Sequence, residues 1–229
     1  TACGTSSDNG SKTSKADKTV TATSNSDKTS ETQKNDDKND DAKESYKSAD
    51  DITMDDLKNH EETPADDFEY GEGPNDSIVI DGYTGEDPIV VIPNEIDGKK
   101  VVDFGKAFTN NKDIIAIKIG DNIEEVAEGA LTNCDNLKYI VFGKNVKVIN
   151  DGLLGGSKIE QIEFNDGLEK LGSNVSGVGL KSKIDVSIPE SVTEMTFRGA
   201  KTLIVKSGSY AESYAKEYAD KLGMAYKVE

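Results

Sequence analysis

The feature that most constrains this chain is a series of segments in which apolar residues recur in the same positions. Residues 119–142 read IGDNIEEVAEGALTNCDNLKYIVF, and residues 142–164 read FGKNVKVINDGLLGGSKIEQIEF. A unit of this length cannot bury its own apolar side, whereas stacked copies share one continuous core. We therefore expect a solenoid of stacked units. The last apolar residues of successive units lie 23, 22 and 24 residues apart, at Ile119, Phe142, Phe164 and Ile188.

The end of each unit has the alternation of a β-strand. Residues 137–142, LKYIVF, place Leu137, Ile140 and Phe142 on the inner side of the predicted strand. Strands of successive units then stack in parallel along one face. The pairs Ala130-Leu131 and Leu153-Leu154 are expected to pack a short turn on the other side. The fold class predicted is a mainly-β repeat solenoid.

The C-terminal stretch has the signals of a cap that covers the last open layer of such a core. Ser209 is a favourable N-cap, Glu212 completes a capping box, and Gly223 is placed to end the helix. Residues 224–228 then add a short strand. The apolar stripe expected on the helix is Ala211, Tyr214, Ala215, Tyr218 and Leu222.

The repeated pattern resembles the BspA-like leucine-rich repeats, the type with units of about 23 residues. The unit that ends at Phe142 fits the family's form closely, with Leu131 in a position where the family has Phe. Residues 78–101, in which Asp97-Gly98-Lys99-Lys100 forms a turn insertion, resemble the family's N-terminal hairpin and first unit. Residues 206–228 resemble its C-terminal cap. The resemblance covers residues 66–229 and implies a binding module, since some members are surface adhesins.

Residues 1–65 have a different composition, rich in Ser, Thr, Asp and Lys. Such a segment buries too little apolar surface to offset its ordering entropy. We expect residues 1–65 to be a disordered acidic linker and residues 66–229 to be the repeat domain, with residues 206–229 as the cap. Within the linker, residues 51–60 (DITMDDLKNH) are expected to form a short helix, which Pro64 ends.

The N-terminal sequence Thr1-Ala2-Cys3-Gly4 resembles the end of a bacterial lipobox. In that motif the cysteine is acylated on sulfur and becomes the mature N-terminus after a signal peptide is removed. The resemblance implies lipidation of Cys3 and a location on the extracellular face of the bacterial membrane. The Ser/Thr/Asp-rich stretch that follows suits a spacer between an anchor and a folded domain.

The charge balance excludes several classes of partner. The chain has 27 Lys and Arg against 44 Asp and Glu, a formal net charge of -17. Binding to nucleic acid needs clustered basic residues, and so does docking on anionic lipid through side chains. We expect no nucleic-acid partner, contact with the membrane only through the N-terminal lipid, and a monomer.

The sequence contains no coherent catalytic or metal-binding pattern. There is no G-x-S-x-G motif, and Cys3 and Cys134 have no metal-ligand spacing. Cys134 occupies an inward position that Ser157 takes in the next unit, so we interpret it as a packing residue. His60 is the only histidine and lies in a polar stretch, which leaves none for proton transfer in the predicted repeat domain. The prediction is a protein that is not an enzyme and needs no cofactor or metal.

The outward positions of the predicted strands form two columns and are the candidate binding face. Tyr139 is the one large amphipathic residue among them, and such residues often anchor a ligand. The predicted ligand is a protein or a glycan. An ordinary solvated sheet face, in a structural or assembly protein of the cell envelope, is the alternative. The candidate residues are Lys118, Tyr139, Val141, Gln161, Glu163, Asp185 and Ile204, with Ala116, Ser187 and Thr202 in the same columns.

Overall fold

The computed structural model of the protein describes residues 48–173 and 184–229. The expected lipidation site Cys3 and most of the expected linker lie outside the described residues. Within them the predicted repeat solenoid is confirmed: it is mainly β, with stacked parallel strands and a C-terminal helix.

The first described part of the chain is a short helix followed by two β-hairpins. The first hairpin turns at Asn75 and Asp76, and the second at Asp97 and Gly98, all with positive φ. The turn predicted at residues 97–100 is therefore present. Strand β2 pairs with β1 antiparallel and with β5 in parallel, and this connects the hairpins. The elements are α1 Met54–Asn59, β1 Phe68–Gly73, β2 Ser77–Tyr83, β3 Ile89–Val91, β4 Glu95–Ile96 and β5 Lys99–Asp103, with a 3-10 turn at Ala65–Asp67.

The repeat array is built from two ladders of short parallel strands. One ladder has the order β10-β8-β6-β3, and the second has the order β13-β11-β9-β7. A third sheet, in the order β12-β14-β15, completes the C-terminal end. The strands are β6 Ala116–Lys118, β7 Glu125–Val126, β8 Tyr139–Val141, β9 Val148–Ile149, β10 Gln161–Glu163, β11 Lys170–Leu171, β12 Asp185–Ser187, β13 Glu194–Met195, β14 Thr202–Val205 and β15 Ala225–Val228.

A single apolar core runs along the array between the ladders. Leu137 and Ile140 are fully buried in it, and the rings of Phe142 and Phe164 stack with centroids 5.4 Å apart. Cys134 is also buried, and its Sγ lies 3.1 Å from the Phe108 carbonyl oxygen. The Ser157 hydroxyl donates to the Leu131 carbonyl oxygen at 3.5 Å one unit later. The predicted packing role of Cys134 follows from this repeated contact.

Polar side chains in the turns tie neighbouring units together. The backbone N–H of Asp121 donates to Asn94 Oδ1 at 2.7 Å, and that of Lys144 donates to Asp121 Oδ1 at 3.0 Å. The Asn145 and Asn165 amides continue the series by donating to carbonyl oxygens of the preceding unit. These bonds satisfy turn backbone groups that would otherwise be left without partners near the core. They also fix the register of one unit on the next.

The C-terminal cap forms largely as predicted. Helix α2, Tyr210–Tyr218, begins at Ser209, whose hydroxyl accepts from the Glu212 N–H at 3.1 Å. The reciprocal bond of a capping box differs from the prediction, because Glu212 accepts from the Gly208 N–H at 2.8 Å. A 3-10 turn prolongs the helix to Leu222, and Gly223 ends it with a φ of 71°. Strand β15 then pairs in parallel with β14.

The structure differs from the expected domain boundary at residue 65. Helix α1 forms within the predicted range, but it ends at Asn59, five residues before Pro64. Ile52 and Leu57 are almost fully buried against the repeat array, and Thr63 is buried as well. The backbone N–H of Thr63 donates to the Val91 carbonyl oxygen at 2.9 Å. Residues 52–63 are therefore part of the folded unit, because three apolar side chains in this otherwise polar stretch find an apolar surface.

Candidate functional site

The predicted columns of outward side chains are present on the ladder β3-β6-β8-β10. Tyr139 pairs in register with Ala116 on one side and with Gln161 on the other. Val141 likewise lies between Lys118 and Glu163. We call the outward side of β3, β6, β8, β10, β12 and β14 the strand face. Asp185 and Ile204 belong to the same columns on β12 and β14, where Asp185 is paired with Thr202 and Ser187 with Ile204.

Part of the strand face is covered by the chain's own N-terminal residues, 50–60, which we call the cover segment. Ile52, Met54 and Leu57 pack there as a cluster separate from the main core. Their partners lie on strands β3 and β6 or directly before β6, with Tyr139 and Val141 of β8 partly buried against the cluster. Those partners are Ile89, Val91, Ile115 and Ala116.

Polar contacts hold both ends of the cover segment on the strand face. Lys58 Nζ lies 2.5 Å from Glu163 Oε1, and Lys138 Nζ lies 2.7 Å from Asp50 Oδ1. The pairing with Lys138 holds the pKa of the Asp50 carboxyl below its usual range. Each of these pairs has at least one exposed member, so solvent and salt screen its attraction and it stabilises the fold only weakly. They therefore position the segment, while the buried apolar side chains supply most of its stability.

The cover segment changes the interpretation of the N-terminal half of the predicted site. Ala116 points outward as predicted, but it is fully buried beneath the segment. The Tyr139 hydroxyl donates to Glu160 Oε2 at 3.1 Å, and burial together with this contact raises the pKa of Tyr139. Tyr139 and Val141 thus contact an intramolecular helix. The sequence analysis did not identify Ile52, Met54 and Leu57 as packing residues. The available signal was that three apolar residues occur within six positions of an otherwise polar tail.

The C-terminal half of the strand face is open. Gln161, Glu163, Asp185 and Ser187 are exposed, and Ile204 is partly exposed. We call this part the open half. A groove of about 820 Å³ lies where β10 and β12 adjoin, and those strands are not hydrogen-bonded to each other. Among the described residues, the carboxylates that line it are Glu163, Asp166, Asp185 and Glu190, with Lys206 as a basic residue.

Cys134 and His60, the cysteine and the histidine of the described residues, lie in environments that do not indicate catalysis. Burial raises the pKa of the Cys134 thiol to about 11, so it is protonated at neutral pH. His60 lies within the folded part, contrary to the expectation that this part contains no histidine. Its Nε2 is 3.6 Å from Asp87 Oδ2 and its Nδ1 is 3.1 Å from the Glu61 carbonyl oxygen. Residues 48–173 and 184–229 contain no group of three or more His, Cys, Asp or Glu that could hold a metal ion.

Comparison with known sequences identifies the repeats. No curated protein matches the chain closely enough to count as a relative. Residues 104–198 match a protein family described as BspA type leucine rich repeat region, in six copies. These residues are therefore similar in sequence to BspA-type leucine-rich repeats. The matched residues include strands β6 to β13, and so they carry most of the strand face.

Two solved structures are similar to this chain. The crystal structure of the T. pallidum leucine-rich repeat protein is 26% identical over 63% of this chain and 71% of that chain, with a TM-score of 0.52. A leucine-rich repeat protein from Bacteroides ovatus is 19% identical over 73% of this chain and 52% of that chain, also with a TM-score of 0.52. The second comparison bears on the fold alone. Leucine-rich repeat proteins are in general binding or adhesion modules.

The described residues include no helix that is long and apolar enough to cross a membrane.

Proposed function

We propose that this protein is a surface-displayed leucine-rich repeat module that binds a macromolecular ligand through the open half of the strand face. The observation that carries the proposal is the placement of Gln161, Asp185 and Ser187 as exposed side chains on a sheet whose inner side is packed. A rigid array presents such side chains at fixed spacings. Extended solenoid faces of this kind suit macromolecular partners.

The charge of the open half favours a protein ligand with basic groups. Carboxylates dominate the groove beside Asp185, and the whole chain is acidic. Complementary charge steers encounter and selects among partners. A glycan ligand is the second candidate, because exposed Gln161 and Ser187 offer neutral hydrogen-bonding groups.

The proposal predicts that charge reversal in the open half removes binding. The full chain is tested against arrayed extracellular-matrix proteins and glycans, in parallel with Asp185→Lys. Asp185 is exposed, and Lys201 Nζ lies 3.8 Å from its Oδ1, a long and exposed ion pair, so the variant is expected to fold normally. We expect saturable binding by the natural sequence and a loss of at least about tenfold in affinity for the variant, since a like charge now faces the ligand.

The matched control is Glu128→Lys, which makes the same change of charge in the turn after β7. It should bind as the natural sequence does. Equal binding by Asp185→Lys and the natural chain would exclude the open half as the site. Binding to envelope proteins alone, with no response on the array, would favour a structural or assembly role in the cell envelope, the alternative that the sequence leaves open.

We further propose that Cys3 carries the lipid that places the domain on the outer face of the bacterial membrane. Cys3→Ala in the full precursor is expected to move the protein from the membrane fraction to the soluble fraction, because the proposed contact with the bilayer is the acyl chains. Fractionation of cells that express each version measures this. If Cys3→Ala leaves the partition unchanged, the lipid-anchor proposal is wrong.

A further inference from the structure

The cover segment packs on the array through a separate apolar cluster, whereas the repeats pack on one another through the main core. Its apolar residues form a cluster of their own, whereas the buried residues of successive units belong to one continuous core. Helix α1 has only six residues, and helices of that length are marginal without tertiary packing. A short element with few buried contacts belongs to the least stable parts of a protein.

The chain on the C-terminal side of the cover segment is fixed to the array independently. Val91 donates its N–H to Thr63 Oγ1 at 2.9 Å, while Thr63 donates its own N–H to the Val91 carbonyl oxygen. Glu62 Oε1 accepts from the Asn94 side chain at 2.7 Å. The segment can therefore leave the strand face while residues 62–63 remain attached.

The surface beneath the segment has the properties of a docking site for a helix. It presents Ile89, Val91, Ile115 and Ala116 as apolar side chains, and Lys138 and Glu163 bind the two ends of the bound segment. A cavity of about 310 Å³ remains beside Ile52, lined also by Pro88 and Ile115. The occupied surface is continuous with the open half through Val141 and Glu163, which pair in register.

We propose that the first half of the strand face is a helix-docking site that the protein covers with its own residues 50–60, and that this cover opens without unfolding the repeats. A competing partner would be a short amphipathic helix with apolar residues spaced as Ile52, Met54 and Leu57, an acidic residue before them and a lysine after. Opening the cover enlarges the available strand face from the open half to the whole ladder. This inference concerns the covered surface, and it stands or falls separately from ligand binding at Asp185.

Hydrogen exchange of the full chain tests whether the cover opens by itself. The hydrogen-bonded amides of α1, among them that of Leu57, are expected to be protected, yet to exchange at least about 100-fold faster than those of β6 and β8. Leu57→Ala should accelerate exchange in α1 by at least about tenfold and leave β6 and β8 unchanged, because it weakens the packing of the segment on the array and does not touch the main core that holds β6 and β8. Asp55→Ala is the matched control, an exposed position on the same helix, with little effect expected.

Three results would overturn the proposal. Exchange of α1 at the rate of β6 and β8 would make the segment an integral part of the core. Equal acceleration of all three elements by Leu57→Ala would show the same. An unprotected α1 in the natural chain would show that the segment does not occupy the strand face in solution.

Binding of an apolar fluorescent dye tests whether the uncovered surface can dock an apolar partner. Leu57→Asp in the full chain should keep the thermal transition of the repeats and raise dye fluorescence several-fold, because the apolar patch is released to solvent. Asn59→Asp, which adds the same charge at an exposed position, should give no rise. A Leu57→Asp chain that loses its thermal transition, or that keeps it without binding more dye, would contradict the proposal.

Discussion

Leu137→Asp is expected to abolish the cooperative unfolding transition of the repeat array. Leu137 is fully buried, and its neighbours are the apolar residues of the shared core. Loss of a buried leucine side chain costs about 2–5 kcal/mol, and an unpaired buried carboxylate costs several kcal/mol more. The sum is comparable with the total stability of a domain, about 5–15 kcal/mol. Thermal and urea unfolding followed by circular dichroism measure the effect.

The control for this change is Asn136→Asp, which places a carboxylate one residue earlier at an exposed position. It removes one hydrogen bond, from Asn136 Nδ2 to the Lys112 carbonyl oxygen, so we expect a loss within about 1 kcal/mol. If Leu137→Asp melted like the natural chain, the register of the repeats would be wrong.

Gly143→Ala has the second largest expected effect, for a steric reason. A Cβ at Gly143 would lie 2.7 Å from the Ile119 carbonyl oxygen and clash with the backbone at Gly120. The obstacle is backbone of the preceding unit, so no side-chain rotation relieves it. Forcing such an atom into a packed interior costs about 1–3 kcal/mol and sometimes more. We expect a loss of at least about 2 kcal/mol in the free energy of unfolding, measured by urea denaturation.

Gly167→Ala, one unit later, is the matched control. Its nearest contacts would be ordinary ones, 3.5 Å from Asn165 Nδ2 and 3.6 Å from the Lys144 carbonyl oxygen. The substitution should be neutral or stabilise by about 0.4–1 kcal/mol, because it reduces the freedom of the unfolded chain. Equal destabilisation by the two alanines would contradict the close approach of the strand ends.

Most of the fold was predictable because the same pattern of apolar positions recurs in successive repeats. The apolar positions at Leu137, Ile140 and Phe142 recur in register, and a one-residue error would have put all of them on the wrong side of a strand. The same alternation fixed the outward positions, among them Tyr139 and Asp185. The turn at Asp97-Gly98 and the cap begun by Ser209 were predictable from local chemistry, since few residues adopt positive φ or satisfy a helix N-terminus well.

Which outward positions of the strand face are exposed, and which are covered, was not predictable to the same extent. Outward position was correctly derived for Ala116, but exposure was not, because exposure depends on what else in the chain packs there. Ile52, Met54 and Leu57 lie among acidic residues and have no partner in their own segment. Their partner is an apolar patch assembled from three strands that are far away in sequence. Composition describes such a segment as a linker, whereas the tertiary contact makes it part of the domain.

The break in hydrogen bonding between β10 and β12 was also not predictable from the sequence pattern. The outward positions were expected to form two columns along the stacked strands, but the strand pairing divides into β3-β6-β8-β10 and β12-β14-β15. The groove at this point follows from pairing between strands, which single-chain periodicity does not specify.

The central claim is that ligand binds on the open half of the strand face, and position-specific photo-crosslinking tests it most directly. A photoreactive phenylalanine analogue is placed at Ser187 in the full chain, or at Thr196 directly after β13 on the second ladder; both side chains are exposed. Each chain is incubated with matrix and cell-surface proteins and irradiated. We predict a discrete adduct from position 187 that Asp185→Lys suppresses, with little from position 196. Equal adducts from both positions, or an adduct from position 196 alone, would contradict the claim.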